Sequence, residues 1–195
     1  MTTRPTTILA VLALAATPAA ALAQATITFD IENDTLLPGQ STTVTMYAAF
    51  DPIDYAMAAV QTDLRTSVGS VGWSEATRLA PMNGPGTQDG FPSATGYDQI
   101  IAGQYHIPSD FIADPSSPIG FWQATYTAPI DPLDPIQIDL STVTSDYAVH
   151  LRECCVGSES RLADLVEGSA TIHVIPTPAS ALVLALGAAV LRRRR

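Results

Sequence analysis

The feature that most limits what this chain can fold into is a period-two alternation of apolar and polar residues, repeated in short runs. Ile27, Phe29 and Ile31 alternate with polar residues between Gln24 and Glu32. Successive side chains of a strand point to opposite faces of its sheet, so this pattern predicts a strand with one buried face. Comparable runs are Thr42–Phe50, Tyr55–Leu64, Trp122–Ala128, Ile136–Leu140, Tyr147–Leu151 and Ala170–Val174.

The region from Val68 to Pro118 is instead rich in glycine and proline. These residues favour turns, so we expect long loops around one or two short strands, of which Gln99–Ile107 is the clearest. Ser158–Glu167 is compatible with one short helix capped by Ser160. About eight short strands with polar turns and almost no helix predict an all-β fold, an antiparallel β-sandwich with long middle loops. The Pro38-Gly39 turn and the inserted middle resemble cohesin-like jelly rolls, an analogy of fold that implies no function.

The N-terminus has the three parts of a secretory signal peptide. Arg4 supplies a positive start, an apolar stretch follows, and Ala21 and Ala23 place small residues where a signal peptidase recognises its substrate. We therefore predict that residues 1–23 are a signal peptide and that Gln24 begins the mature chain. An uncleaved anchor is the alternative, and Pro18 together with the small-residue site favours removal.

The C-terminal segment 175–195 has the composition of a membrane segment. The 17 residues Ile175–Leu191 carry no charge, and the four arginines Arg192, Arg193, Arg194 and Arg195 follow them. This length is at the lower limit for a helix that spans a bilayer, and the arginines favour a cytoplasmic C-terminus. The domain between the two segments, 24–174, is therefore expected outside the cytoplasmic membrane.

The order of parts in this tail is similar to the PEP-CTERM sorting signal of bacterial exported proteins. The motif Pro176-Thr177-Pro178 stands where that family has Pro-Glu-Pro, and an apolar segment and the cluster Arg192–Arg195 follow it. The resemblance implies recognition and cleavage by a membrane-embedded exosortase, with release or attachment at the cell surface, often beside extracellular polysaccharide. A permanent single-pass anchor of the same topology is the alternative.

The charge of the domain excludes one class of partner. Within 24–174 there are four arginines, no lysine and all 19 acidic residues of the chain, so the formal charge is −15. Such a surface repels nucleic acid and anionic headgroups and attracts divalent cations and basic partners. The adjacent Cys154 and Cys155 close no large loop, and free thiols, a vicinal disulfide and an intermolecular bridge stay open.

No motif in the domain identifies a reaction. The sequence has no nucleophile elbow, no metalloprotease helix and no phosphate-binding loop. His150 and His173 fall at outward strand positions, and His106 lies beside the glycine-rich region. We therefore expect no catalytic residues and no enzyme activity, with a hydrolase as the least favoured alternative.

One acidic group has the composition of a cation site. Asp30, Glu32 and Asp34 lie two residues apart, and calcium would relieve the repulsion between their carboxylates. An ordinary solvated acidic face explains the same pattern, so calcium is the only cofactor considered. Asp51-Pro52 and Asp131-Pro132 are typical of type I turns, with a cation held between the turns as the alternative.

Aromatic residues in and near the glycine-rich region are candidates for stacking on sugars. These are Trp73, Tyr97, Tyr105 and Phe111, whereas Trp122 is expected in the core. The leading hypothesis is a non-enzymatic cell-surface or matrix protein that is displayed through its tail. The second is an extracellular module that binds carbohydrate or a protein through the loops of Val68–Pro118.

Overall fold

The computed structural model describes residues 24–50, 56–104, 113–150, 160–162 and 164–176. Within these ranges the side chains of 24, 144–150, 160, 161, 164 and 165 are not described. The described residues form twelve strands and no helix. The strands are β1 (Gln24–Ile31), β2 (Thr35–Leu36), β3 (Ser41–Phe50), β4 (Ala56–Thr66), β5 (Trp73–Arg78), β6 (Gln88–Ser93), β7 (Gly96–Gly103), β8 (Ile119–Thr127), β9 (Ile136–His150), β10 (Ser160–Leu162), β11 (Asp164–Val166) and β12 (Ser169–Val174).

The strands form two sheets, which confirms the predicted β-sandwich. Sheet A has the order β11-β1-β3-β8-β5, and sheet B has the order β2-β12-β9-β4-β7-β6, with β10 beside β9. All pairings are antiparallel except two, since β11 runs parallel to β1 and β2 runs parallel to β12. Both parallel partners are strands of two or three residues at the start or the end of their sheet.

The predicted alternation sets which side chains enter the core. In β3 the residues Val44, Met46 and Ala48 are fully buried, while the residues between them are half-exposed. Trp122 is also fully buried, as predicted, and its ring packs edge-on against Tyr97 with centroids 5.4 Å apart. Trp122 belongs to sheet A and Tyr97 to sheet B, so this contact places the core between the two sheets. Burial of such apolar area is the main favourable term in folding.

Ion pairing and hydrogen bonding tie the two sheets together at one side. Arg78 on β5 of sheet A donates from its backbone N and its Nε to Oδ1 of Asp89 on β6 of sheet B, both at 2.7 Å. The Nε1 of Trp122 donates to the carbonyl oxygen of Asp89 at 2.8 Å. Asp89 on sheet B thus accepts hydrogen bonds from two strands of sheet A, β5 and β8.

The middle of the chain contains three strands, β5, β6 and β7, where the sequence predicted one or two. The predicted strand Gln99–Ile107 is shifted, because β7 runs from Gly96 to Gly103. Proline lacks a backbone N–H and glycine interrupts strand patterns, so β6, with Gly90 and Pro92, is not recognisable from its sequence. Among the described strands, β6 is the edge strand of sheet B and pairs there with β7 alone. Pro92 is tolerated at this edge, because a strand with one neighbour needs backbone N–H donors on one side only.

Two further expectations differ from the structure. The predicted helix over Ser158–Glu167 is wrong, since Ser160–Leu162 and Asp164–Val166 are strands. The two predicted runs Ile136–Leu140 and Tyr147–Leu151 belong, as far as His150, to one 15-residue strand, β9. The predicted bulge near Ala58-Ala59 is confirmed, because the register of β4 on β9 shifts between Met57 and Ala59.

Candidate functional site

The outer surface of sheet A carries a neutral strip of hydroxyl groups. Strands β1, β3 and β8 are adjacent there, and their outward positions hold mostly threonine. We call this surface the threonine face. Its members are Thr26, Thr28, Thr43, Thr45, Tyr47, Gln123, Thr125 and Thr127.

Strand register places these side chains beside one another. Thr43 pairs with Thr125, Thr45 pairs with Gln123, and Thr28 pairs with Tyr47. Side chains directly opposite each other on neighbouring strands lie about 4.5–5.5 Å apart at Cβ. The face is therefore a closely spaced array of hydrogen-bonding groups drawn from segments far apart in sequence.

Tyr47 gives this face an aromatic centre. Its partner on β8 is Gly120, and a Cβ built on Gly120 would lie 3.2 Å from the Tyr47 Cε1 and 3.2 Å from the Leu79 Cδ1. The missing side chain leaves room for the ring to lie across the neighbouring strand. Tyr47 is half-buried, so one part of the ring stays open to solvent.

Two of the three strands of the threonine face are uncharged in a strongly acidic domain. Strands β3 and β8 contain no charged residue. Two carboxylates adjoin these strands, since Asp30 on β1 lies directly opposite Thr45 and the Oε2 of Glu75 accepts a hydrogen bond from the Thr125 hydroxyl at 3.2 Å. A neutral surface with hydroxyl groups and one aromatic ring suits a neutral, hydroxyl-bearing ligand.

This face was not predicted from the sequence. Tyr47 was predicted to lie in a strand, and exposed rings were expected only in and near the glycine-rich region. The position of Tyr47 in the strand alternation did predict an outward side chain, because Val44, Met46 and Ala48 point inward. That alternation does not indicate which strands lie beside Tyr47.

The expected exposure of Trp73 and Tyr97 is wrong. Trp73 is 8% exposed and stacks at a tilt on Tyr126, with ring centroids 5.2 Å apart, and Tyr97 is 4% exposed. Burial also raises the pKa of Tyr97 and of Tyr126 above the usual value for tyrosine. Trp73 is the first residue of β5 and Tyr97 is the second residue of β7, and both lie at positions whose side chains face the core. Tyr105 and Phe111 lie outside the described residues.

The three carboxylates considered for calcium are exposed in the structure. Asp30 lies on β1, and Glu32 and Asp34 follow it, with the Oδ1 of Asp34 accepting a hydrogen bond from the Thr35 hydroxyl at 3.0 Å. No group of three acidic, histidine or cysteine side chains among the described residues is placed to hold a metal ion. Calcium binding at these residues stays a prediction that a titration can test.

The residues of the predicted processing sites lie at the boundaries of the described domain. Gln24 is the first residue of β1, and Ala21 and Ala23 lie outside the described residues. Strand β12 ends at Val174, and the backbone N of Ile175 still donates to the carbonyl oxygen of Leu36 at 2.8 Å. Pro176 is the last described residue, so Thr177, Pro178 and Arg192–Arg195 lie outside the described residues.

Other residues singled out in the sequence give no site. His173 is exposed on β12, as predicted, whereas the side chain of His150 and all of His106, Cys154 and Cys155 lie outside the described parts. No helix in the described ranges has the length and apolar character needed to cross a membrane. The segment predicted to do so begins at Ile175, at the margin of those ranges.

Comparison with known proteins gives a likeness of structure only. No protein-family model matches the chain, and no curated protein matches it. Solved structures that match include a cohesin module of a family 33 glycoside hydrolase from Clostridium perfringens ATCC13124. That module is 10% identical with a TM-score of 0.46, and the match covers 80% of this chain and 99% of the module.

Two other matches are similar. The Coh-OlpA-Doc918 cohesin–dockerin complex from Clostridium thermocellum ATTC 27405 is 16% identical, with a TM-score of 0.44, and the match covers 78% of this chain and 99% of that one. A type II cohesin domain from the cellulosome of Acetivibrio cellulolyticus is 7% identical, with a TM-score of 0.41 and coverage of 76% and 95%. At these identities and TM-scores the likeness supports no inference about ligand or partner. The class of this domain, a two-sheet β-sandwich, follows from its own strand pairings.

Proposed function

We propose that this chain is an exported, non-enzymatic protein of the cell envelope, displayed outside the membrane by its C-terminal tail. The supporting observation is the range of the chain that the described strands occupy. Strand β1 starts at Gln24, the residue predicted to follow signal cleavage, and β12 ends at Val174, directly before the predicted sorting segment. The described strands thus occupy the predicted mature domain, 24–174.

The direction of the terminal strands supports the same proposal. Ala25 at the start of β1 pairs with Phe50, whereas Val174 at the end of β12 pairs with Ile136 and Leu36, at the opposite end of the sandwich. The tail therefore leaves the domain on the side away from the mature N-terminus. A domain tethered in this way presents its far end and both outer faces to the surroundings.

Intact-mass analysis of the protein from its native envelope and medium tests this proposal. A mass beginning at Gln24 and ending near Pro176–Pro178 is expected for an exosortase substrate. A mass beginning at Gln24 and retaining Arg192–Arg195 would mean a permanent anchor instead of a sorting signal. A mass beginning at Met1 with recovery from the cytoplasm would refute export.

Removal of the tail provides an independent test. A chain that stops after Pro176 keeps every described strand and should appear in the medium in soluble form, because its membrane segment is gone. The matched control replaces Arg192–Arg195 by glutamine, which keeps the apolar segment and removes the charges that orient it. Retention of the truncated chain in the membrane would contradict anchoring by the tail.

A second candidate function is binding of a neutral polysaccharide through the threonine face. Its support is the half-buried ring of Tyr47 among hydroxyl groups on β3 and β8, since a contact surface for a neutral polymer needs hydroxyl partners and an open ring. Tyr47→Ala should weaken binding to the polysaccharide recovered with the native envelope. A central contact residue costs more than about 1 kcal/mol when truncated, which is about fivefold in affinity.

The control for this test is Phe91→Ala on β6 of sheet B. Phe91 is a ring with 57% exposure on the other sheet, so its removal should leave carbohydrate binding unchanged. Equal affinity of the Tyr47→Ala variant and the unaltered chain would refute a binding role for the threonine face. That outcome leaves display by the tail unaffected.

A further inference from the structure

One end of the sandwich, from which the tail leaves, collects exposed apolar side chains. We call it the tail end and define it by three loops, 32–40, 67–72 and 128–135, together with Ile175 and Pro176. Strand pairing fixes this placement, since Ser41 pairs with Thr127, and the backbone N of Thr127 donates to the Gly72 carbonyl at 2.8 Å.

Five of the nine large apolar residues recorded as exposed among the described residues lie at the tail end. Ile130 and Leu133 are the most open, at 78% and 82%. The five are Leu37, Val71, Ile130, Leu133 and Ile175. Leucine and isoleucine exposed singly are common, but their concentration on the loops of one end marks an interaction surface.

The tail end is attached to the predicted membrane segment without a spacer. Val174 is still paired with Ile136 and Leu36, and the apolar segment starts at the next residue. Even the three residues Pro176-Thr177-Pro178, fully extended, span at most about 10 Å. The headgroup layer on each side of a bilayer is about 5–8 Å thick, so a tail inserted at this point brings the loops to the interface.

The charges at the tail end indicate which lipid surface fits. Its described loops contain Glu32, Asp34, Asp131 and Asp134, all exposed, and no basic residue. Acidic side chains are repelled by anionic headgroups, and apolar side chains gain from leaving water beside any acyl chain. A zwitterionic surface therefore suits this end better than an anionic one.

We propose that the tail end rests on the zwitterionic surface of the outer leaflet, with Ile130 and Leu133 inserted at the boundary of headgroups and acyl chains. This inference rests on the proposed membrane insertion of the tail, concerns the chain while that tail is still attached, and adds a second contact to it. The domain is then held in a fixed orientation, with the threonine face roughly perpendicular to the membrane because the strands run toward the tail end.

Quenching of an added tryptophan by brominated lipid tests the contact. The full chain from Gln24 to Arg195 is reconstituted in phosphatidylcholine vesicles whose acyl chains are brominated near the headgroup. Ile130→Trp and Leu133→Trp place the probe at the tail end, and Val143→Trp, at a 47% exposed site on β9, is the matched control. The emission of the parent chain, with its two buried tryptophans, is subtracted.

The expected result is quenching and a blue shift of the added emission at 130 and 133, with neither change at 143. Replacing half of the lipid by phosphatidylglycerol should reduce the quenching at both positions. Equal emission at all three positions would overturn the inference. Emission at 130 and 133 that changes with protein density but not with bromination would also overturn it, in favour of contact between copies of the chain.

Flotation of the same vesicles separates this inference from the proposed function. Chains that float but show no quenching at 130 and 133 are anchored by the tail without a second contact, so the inference alone fails. Chains that do not float are not anchored, and both proposals fail. Circular dichroism of each variant confirms that the exposed substitutions leave the strands intact.

Discussion

Replacing Trp122 by phenylalanine should destabilise the domain much more than the same replacement of Trp73. Both indoles lie in the core, with Trp122 fully buried and Trp73 exposed by 8%. Their ring nitrogens differ, because the Nε1 of Trp122 donates to the Asp89 carbonyl at 2.8 Å. The Nε1 of Trp73 is buried and has no hydrogen-bond partner among the described residues.

The magnitude follows from this difference. Both substitutions remove the same atoms from the core, so the loss of buried area and the cavity left behind are similar. Trp122→Phe also loses a hydrogen bond, which contributes about 0.5–1.5 kcal/mol, whereas Trp73→Phe removes an unpaired donor that costs about 1–3 kcal/mol. Trp122→Phe should therefore lower the free energy of unfolding by about 1.5–4.5 kcal/mol more than Trp73→Phe.

Urea denaturation of a chain spanning 24–176 measures both values, since each variant keeps the other tryptophan as its fluorescence reporter. Circular dichroism provides a second probe, and equal slopes of unfolding free energy against urea are required for the comparison. Trp73→Ala, which empties the site, should cost about 3–5 kcal/mol and serves as a positive control for core position. Equal costs of the two phenylalanine variants would refute the reasoning by showing that the Trp73 Nε1 has a partner.

Gly69→Ala should cost more stability than Gly39→Ala in the same urea assay, because a Cβ on Gly69 would clash with the Ala94 carbonyl oxygen, whereas Gly39 has nothing within 4 Å of a Cβ. The two glycines have similar left-handed φ angles, 61° and 75°, so the control carries the backbone cost of about 1–2 kcal/mol alone, and equal losses would contradict the steric explanation. Hydrogen bonds from the hydroxyl and the backbone N of Ser116 hold the pKa of Asp114 below the usual aspartate value. The stability that this carboxylate contributes is therefore fully present above the usual pKa and is lost as pH falls through the lowered pKa. NMR titration should show a higher pKa for Asp114 in the Ser116→Ala variant, which keeps the backbone hydrogen bond, and an unchanged pKa would exclude the Ser116 hydroxyl as the main cause.

Several structural features were predictable because they depend on local sequence. The alternation in β3 predicted Val44, Met46 and Ala48 as core residues, and Trp122 followed from the same parity in β8. The face of the sheet to which a side chain points alternates along a strand because of the backbone geometry. It can therefore be predicted without knowing which strands are adjacent. Where glycine and proline interrupt the pattern, as in β6, this information is lost and the strand was not predicted.

The candidate surfaces depended on non-local pairing. Tyr47 meets Gly120 because β3 and β8 are adjacent, although 73 positions separate them in the sequence. Trp73 occurs between glycine-rich turns, where sequence favours exposure, but its position at the start of β5 places its ring on Tyr126. Neither relation is visible in any short window.

The sequence by itself determined the class of the fold, the acidity of the domain and the predicted bounds at Gln24 and Val174, because composition and parity are properties of the chain. The tertiary structure alone decided which strands became neighbours. It thereby assembled the threonine face from three strands and brought Leu37, Ile130 and Ile175 to the tail end. The physical reason is that strand order and register are chosen by packing two sheets over one core, and this choice involves residues distant in sequence.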